Sequence, residues 1–105
     1  MRKLLFFIII TAFSTSAFAA RGAVILYKET CNYYVVESAE GYTVLEWTDG
    51  PRPQEDDIIV GDFESYGLKY VLSVLSDARM TVWIEDYRLD KSRAITVYYD
   101  RCDAS

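Results

Sequence analysis

The side chains able to do chemistry are few, and the residues that are missing narrow the field first. The 105-residue chain contains no histidine, which removes the commonest general base, the Ser-His-Asp triad and the commonest zinc ligand. Its two cysteines are Cys31 and Cys102, and a redox-active pair needs close spacing such as C-x-x-C, which is absent. Ser65 and Lys69 stand four apart, without the S-x-x-K spacing or the Gly-framed turn of an activated serine. Paired carboxylates make the better enzyme candidate, because a glycosidase needs only two. Glu85 and Asp86 are neighbours on an expected strand and point to opposite faces. Asp62 and Glu64, two apart near a strand end, either converge or belong to a solvated loop. Asp56, Asp57, Asp62 and Glu64 offer the oxygens calcium takes, but the D-x-D-x-D-G order of an EF-hand loop is absent. No metal or cofactor is expected, and the chain reads as a non-enzyme.

The aromatic residues are the remaining lead. Trp47 shares a strand face with Leu45, which points to core packing. Trp83 lies with Thr81, Glu85 and Tyr87 on the face opposite Met80, Val82 and Ile84. If a C-terminal helix covers that face, Trp83 is the helix's contact. If not, Trp83 and Tyr87 form an exposed strip of the kind that stacks on sugars or anchors a protein partner. Tyr66, between Ser65 and Gly67, is presented on a loop with Asp62 and Glu64, and loops on a rigid frame commonly carry function. The candidate binding residues are therefore Trp83, Tyr87, Tyr66, Asp62 and Glu64.

These residues must be positioned by short strands. Residues 23–27 and 32–38 are rich in β-branched and aromatic side chains. Gly41 can take the positive φ of a three-residue hairpin loop, and 42–48 returns as the partner strand. Residues 49–57 carry a glycine, two prolines and charges and read as a loop. Ile58-Ile59-Val60, then 68–75 and 80–87, read as further strands, with a type I turn at 76–79. In the last stretch Ala94, Tyr98 and Cys102 fall on one helical stripe, Asp90 can cap, and Leu89 can staple onto Ala94. This predicts a helix over 91–102, against the strand propensity of 95–99. The fold class is α+β and mainly β: a small, strongly bent antiparallel sheet or partly open barrel, SH3-like or OB-like, with a short C-terminal helix. An all-β domain is the alternative.

The compartment follows from the first residues. Met1-Arg2-Lys3, the apolar run from Leu4 to Ile10, and Ala17-Phe18-Ala19 have the order of a cleavable signal peptide over 1–19. A single domain over 20–105 follows. Once Arg2 and Lys3 leave, nine Lys/Arg face sixteen Asp/Glu, a net charge of −7. Such a domain repels nucleic acid and anionic membrane surfaces and accepts a basic protein partner. In an oxidising compartment the two cysteines pair as Cys31–Cys102, a long loop whose closure is worth about 4 kcal/mol in the chain-entropy model. The expectation is a monomeric, exported binding protein, periplasmic or fully secreted, acting on a protein partner as an inhibitor or immunity-type factor. The alternative is a glycan-binding module using the exposed aromatics.

Overall fold

The structure is a computed structural model and describes residues 20–103; the expected signal peptide and its cleavage site lie outside the described residues. Six strands run in the order β1 (Ala20–Leu26), β2 (Tyr33–Ser38), β3 (Gly41–Asp49), β4 (Ile58–Gly61), β5 (Gly67–Ser73) and β6 (Ala78–Leu89), followed by α1 (Lys91–Asp103). They close into an antiparallel barrel with the spatial order β1-β2-β3-β6-β5-β4. The mainly β frame and the C-terminal helix match the sequence expectation, and the sheet closes fully on itself.

Period-two alternation fills the interior. Val24, Tyr34, Val36, Leu45, Ile59, Val71, Met80, Val82 and Ile84 point inward from the strands, and Phe63 packs with them from the loop after β4. Burying side chains of this size stabilises by about 1.5–3 kcal/mol each. The β2–β3 turn is tighter than its composition suggests. Ser38 pairs with Gly41, leaving a two-residue connection, and Gly41 still takes the positive φ of 126°. A side chain there would meet the Leu89 carbonyl at 3.0 Å, so glycine is required by conformation and by space alike.

The second core lies outside the barrel. Val35 and Val44, the outward residues of β2 and β3, pack with Ala94 and Tyr98 of α1. This cover on both sides explains why Tyr34-Val35-Val36 is a continuous apolar run that is buried throughout. The helix begins as its sequence directs: Asp90 Oδ1 accepts from the Arg93 amide at 2.8 Å, a cap worth about 1 kcal/mol. Leu89 packs into the same cluster as Ala94, as the staple predicts. Cys102 is disulfide-bonded to Cys31, which ties the end of α1 to the segment before β2. No helix among the described residues is long and apolar enough to cross a membrane.

Tyr98 is fully buried on the helix's inner stripe, whereas Thr96 is exposed. Tyr98→Ala is expected to cost about 3–5 kcal/mol in urea unfolding, as aromatic truncations in cores do, and Thr96→Ala to stay within about 0.5 kcal/mol. Equal effects would show that α1 does not dock through this stripe.

Candidate functional site

β6 does not keep one phase along its length. Its partner on β3 moves from Ile84 opposite Leu45 to Asp86 opposite Val44, so one extra residue enters the strand at Glu85. A bulge of this kind turns the following side chains over. Tyr87, expected beside Trp83 on the outer face, packs instead against the barrel core. Trp83 stays outside the barrel and is 45% exposed. The helix expected over it lies on β2 and β3 instead, reaching β6 through the Arg101–Glu85 ion pair.

The loop after β4 brings the other predicted residues together, in a locked arrangement. Asp62 Oδ1 accepts from the Glu64 amide at 2.8 Å, and its Oδ2 lies 3.7 Å from Lys69 Nζ. Glu64 is held by Arg88, whose Nε donates at 2.6 Å. The two carboxylates thus answer to different cations and do not face a shared bond. Ser65 and Lys69 do meet, at 2.5 Å, with the amine as donor between the hydroxyl and the Asp62 carboxylate. An ammonium placed between two acceptors is a donor and not a base. Tyr66 sets its ring edge-on to Tyr87, centroids 4.9 Å apart, a contact worth about 0.5–1.5 kcal/mol. Its hydroxyl donates to Asp86 Oδ1 at 3.4 Å. Asp56 and Asp57 lie at the other end of β4 from Asp62 and Glu64, and no metal-holding cluster exists among the described residues.

The larger surface includes Tyr66 and Trp83 but extends over β5, which the sequence reading does not assign to a site. Eight large apolar side chains are exposed among the described residues, and seven of them are Tyr66, Leu68, Tyr70, Leu72, Val74, Leu75 and Trp83. Along β5 the outward positions are Leu68, Tyr70 and Leu72, while Lys69, Val71 and Ser73 take the inner phase. Three of the strand's four large apolar side chains therefore face solvent, and only Val71 enters the core. Leu68 pairs directly with Trp83 across the β5–β6 ladder, which joins the β5 row to the tryptophan. Arg79 lies 4.8 Å over the Tyr70 ring and marks the strip's polar margin. The alternation from Tyr66 to Val74 was legible as a pattern, but its facing was not, because ordinary burial puts the apolar phase inside.

Trp47 packs with the core, as its shared face with Leu45 predicts. It is partly exposed at the barrel mouth, its Nε1 donating to the Gly50 carbonyl at 3.1 Å. Comparison with family models, curated proteins and solved structures found no match. The fold and its surfaces therefore carry the functional argument alone.

The Asp86 charge, more than burial or their hydrogen bond, pushes the Tyr66 phenol above its ordinary range. Raising a phenol's pKa favours its neutral form, so Asp86→Asn should bring the midpoint down. The Tyr66 ring resonance, followed by NMR through the alkaline range, is expected to titrate at lower pH in the variant. Tyr42, raised by its hydrogen bond to Glu37, should not move. An unchanged Tyr66 midpoint would contradict the contact.

Proposed function

We propose that this chain is an exported, non-enzymatic binding protein that captures a protein partner on the outer face of β5 and β6. One observation carries the reading: the apolar phase of β5 faces solvent, continuous with Trp83. Large contiguous apolar patches mark interaction sites, and Trp and Tyr are favoured as interface anchors. Strand addition is the less favoured mode: every strand of the closed barrel has a neighbour on each side, although β4 reaches β5 only at Leu72 and Ser73. The partner must accept side chains, with an apolar surface that fits the strip.

Charge supports the rest of the description. A mature chain of net −7 favours a basic partner and accelerates its approach. The Cys31–Cys102 bond fits an oxidising compartment, and with the signal-like first residues this makes the periplasm the preferred location. An inhibitor or immunity-type role suits a small rigid frame with a single exposed face. Sugar stacking on the same strip is less favoured: Tyr66, Tyr70 and Trp83 are interrupted by Leu68, Leu72 and Val74, and Tyr87 is turned toward the core.

The test uses the mature chain as bait in periplasmic extract, comparing wild type with the double variant Tyr70→Ser, Leu72→Ser. Both residues are exposed, so stability should stay within about 0.5 kcal/mol of wild type. The expected result is a retained basic protein whose affinity falls about tenfold or more in the variant, at least 1.4 kcal/mol, and whose association slows with added salt. Equal retention by the two baits, or binding indifferent to salt, would reject the proposal.

A further inference from the structure

At the mouth of the barrel, on the side of β1 and β2, Tyr27, Glu29, Tyr34, Arg52, Pro53 and Gln54 line a half-open pocket of about 470 Å³. This is within the range of small-molecule sites, about 300–1,000 Å³. One wall is aromatic: the Tyr27 and Tyr34 rings are nearly parallel, 6° apart, with centroids separated by 6.1 Å. The cation in the wall is fixed from three directions. Arg52 Nη1 donates to Asn32 Oδ1 at 3.0 Å, Nη2 donates to the Cys31 carbonyl at 3.2 Å, and the guanidinium sits 4.6 Å over the Trp47 ring. Because Cys31 is itself bonded to Cys102, this wall is held in place before any ligand arrives, which lowers the ordering cost of binding. A guanidinium has five N–H donors, so these two hydrogen bonds and the one to the Tyr34 phenol do not exhaust it.

The chemistry of the lining selects a ligand class. An anion drawn to Arg52 meets the Glu29 carboxylate, and a cation drawn to Glu29 meets Arg52. A purely apolar ligand would strip water from Arg52, Glu29 and Gln54 without replacing it, which is costly. A neutral polyhydroxylated ring uses all of them: hydroxyls accept from Arg52, donate to Glu29 and do both with Gln54, while the ring's C–H face covers an aromatic plane. Tyr34 adds a phenol whose pKa burial pushes up, with Arg52 opposing.

We propose that this mouth pocket is a saccharide-binding site that takes a neutral sugar ring, its C–H face on Tyr27 and its hydroxyls shared between Arg52 and Glu29. The site is independent of the β5 face, since β2 and β5 lie on opposite sides of the six-stranded barrel.

The experiment is an amide NMR titration of the mature chain with a methyl glucoside, with N-acetylglucosamine, and separately with acetate and with glycine. The expected result is saturable shifts with at least one of the sugars, centred on residues 27–34 and 50–54, and none with acetate or glycine. Glu29 and Gln54 are exposed, so Glu29→Ala and Gln54→Ala leave the frame intact. Glu29→Ala is expected to weaken sugar binding about tenfold, the effect of losing a hydrogen bond to a charged group. The Tyr70→Ser, Leu72→Ser variant should bind sugar as wild type does, which separates this site from the protein-binding face. Absence of saturable shifts with both sugars, matching shifts with acetate or glycine, or unchanged affinity in Glu29→Ala would overturn the proposal.

Discussion

The buried carboxylate of Asp57 sets how β5 faces. It is 1% exposed, and its two oxygens accept from Ser73 Oγ at 2.5 Å and from the Leu75 amide at 3.0 Å. Ser73 Oγ in turn accepts from the Ser76 amide, and the Asp57 carbonyl accepts from the Val24 amide of β1. One residue thus joins β1, the end of β5 and the turn into β6. A buried charge without partners is expensive, so Ser73 must face inward to supply its hydroxyl. At the other end of the strand, Lys69 binds Ser65 and Asp62 on the same inner phase. Because strand side chains alternate, fixing Ser73 and Lys69 inside forces Leu68, Tyr70 and Leu72 outside. A one-residue slip would exchange the two sets and bury more apolar surface, but it would strand Asp57. The exposed strip is a consequence of the polar anchors, and the chain tolerates it at both ends of the strand.

The helix and the disulfide complete the division of labour. The outward residues of β2 and β3 are apolar and are covered by Ala94 and Tyr98, with Cys102 fastened to Cys31 at the helix's far end. The outward residues of β5 are apolar as well, and no element among the described residues covers them. Since β2 and β5 stand opposite each other in the barrel, the staple secures one side of the molecule while the other presents its apolar face. A small domain has little core to spare, so leaving this much apolar surface in solvent is a cost that the proposed binding role would account for. Closure of the barrel shortens the free edges that are the usual hazard of exposed apolar strands, leaving β5 unpaired on its β4 side only before Leu72.

Much of the frame was legible in the residues. The order of the strands, the loop over 49–57, the positive φ at Gly41, the Asp90 cap and the Ala94/Tyr98/Cys102 stripe all follow from local chemistry and are present, while the turn expected at 76–79 falls two residues earlier, between Ser73 and Ala78. With two cysteines only one intramolecular bridge could form. The site was less legible, for two physical reasons. The bulge at Glu85 reverses the phase of β6, so counting by twos from Trp83 places Tyr87 on the wrong face. The facing of β5 depends on Asp57 and Ser73, which are sixteen positions apart, and no period within the strand reports a contact of that range. The loop from Asp62 to Tyr66 was found as a cluster, but its pairing with Lys69, Arg88 and Asp86 is tertiary.

The central claim is that the outward phase of β5 is the surface this protein uses. Site-specific photocrosslinking in living cells tests it most directly, with p-benzoylphenylalanine placed at Tyr70 in the full chain and, as a comparison, at Tyr99. Tyr99 is the exposed large apolar residue that lies outside the strip, on α1. The account predicts a discrete protein adduct from position 70 and none from position 99. No adduct at 70, or the same adduct from both positions, would contradict it.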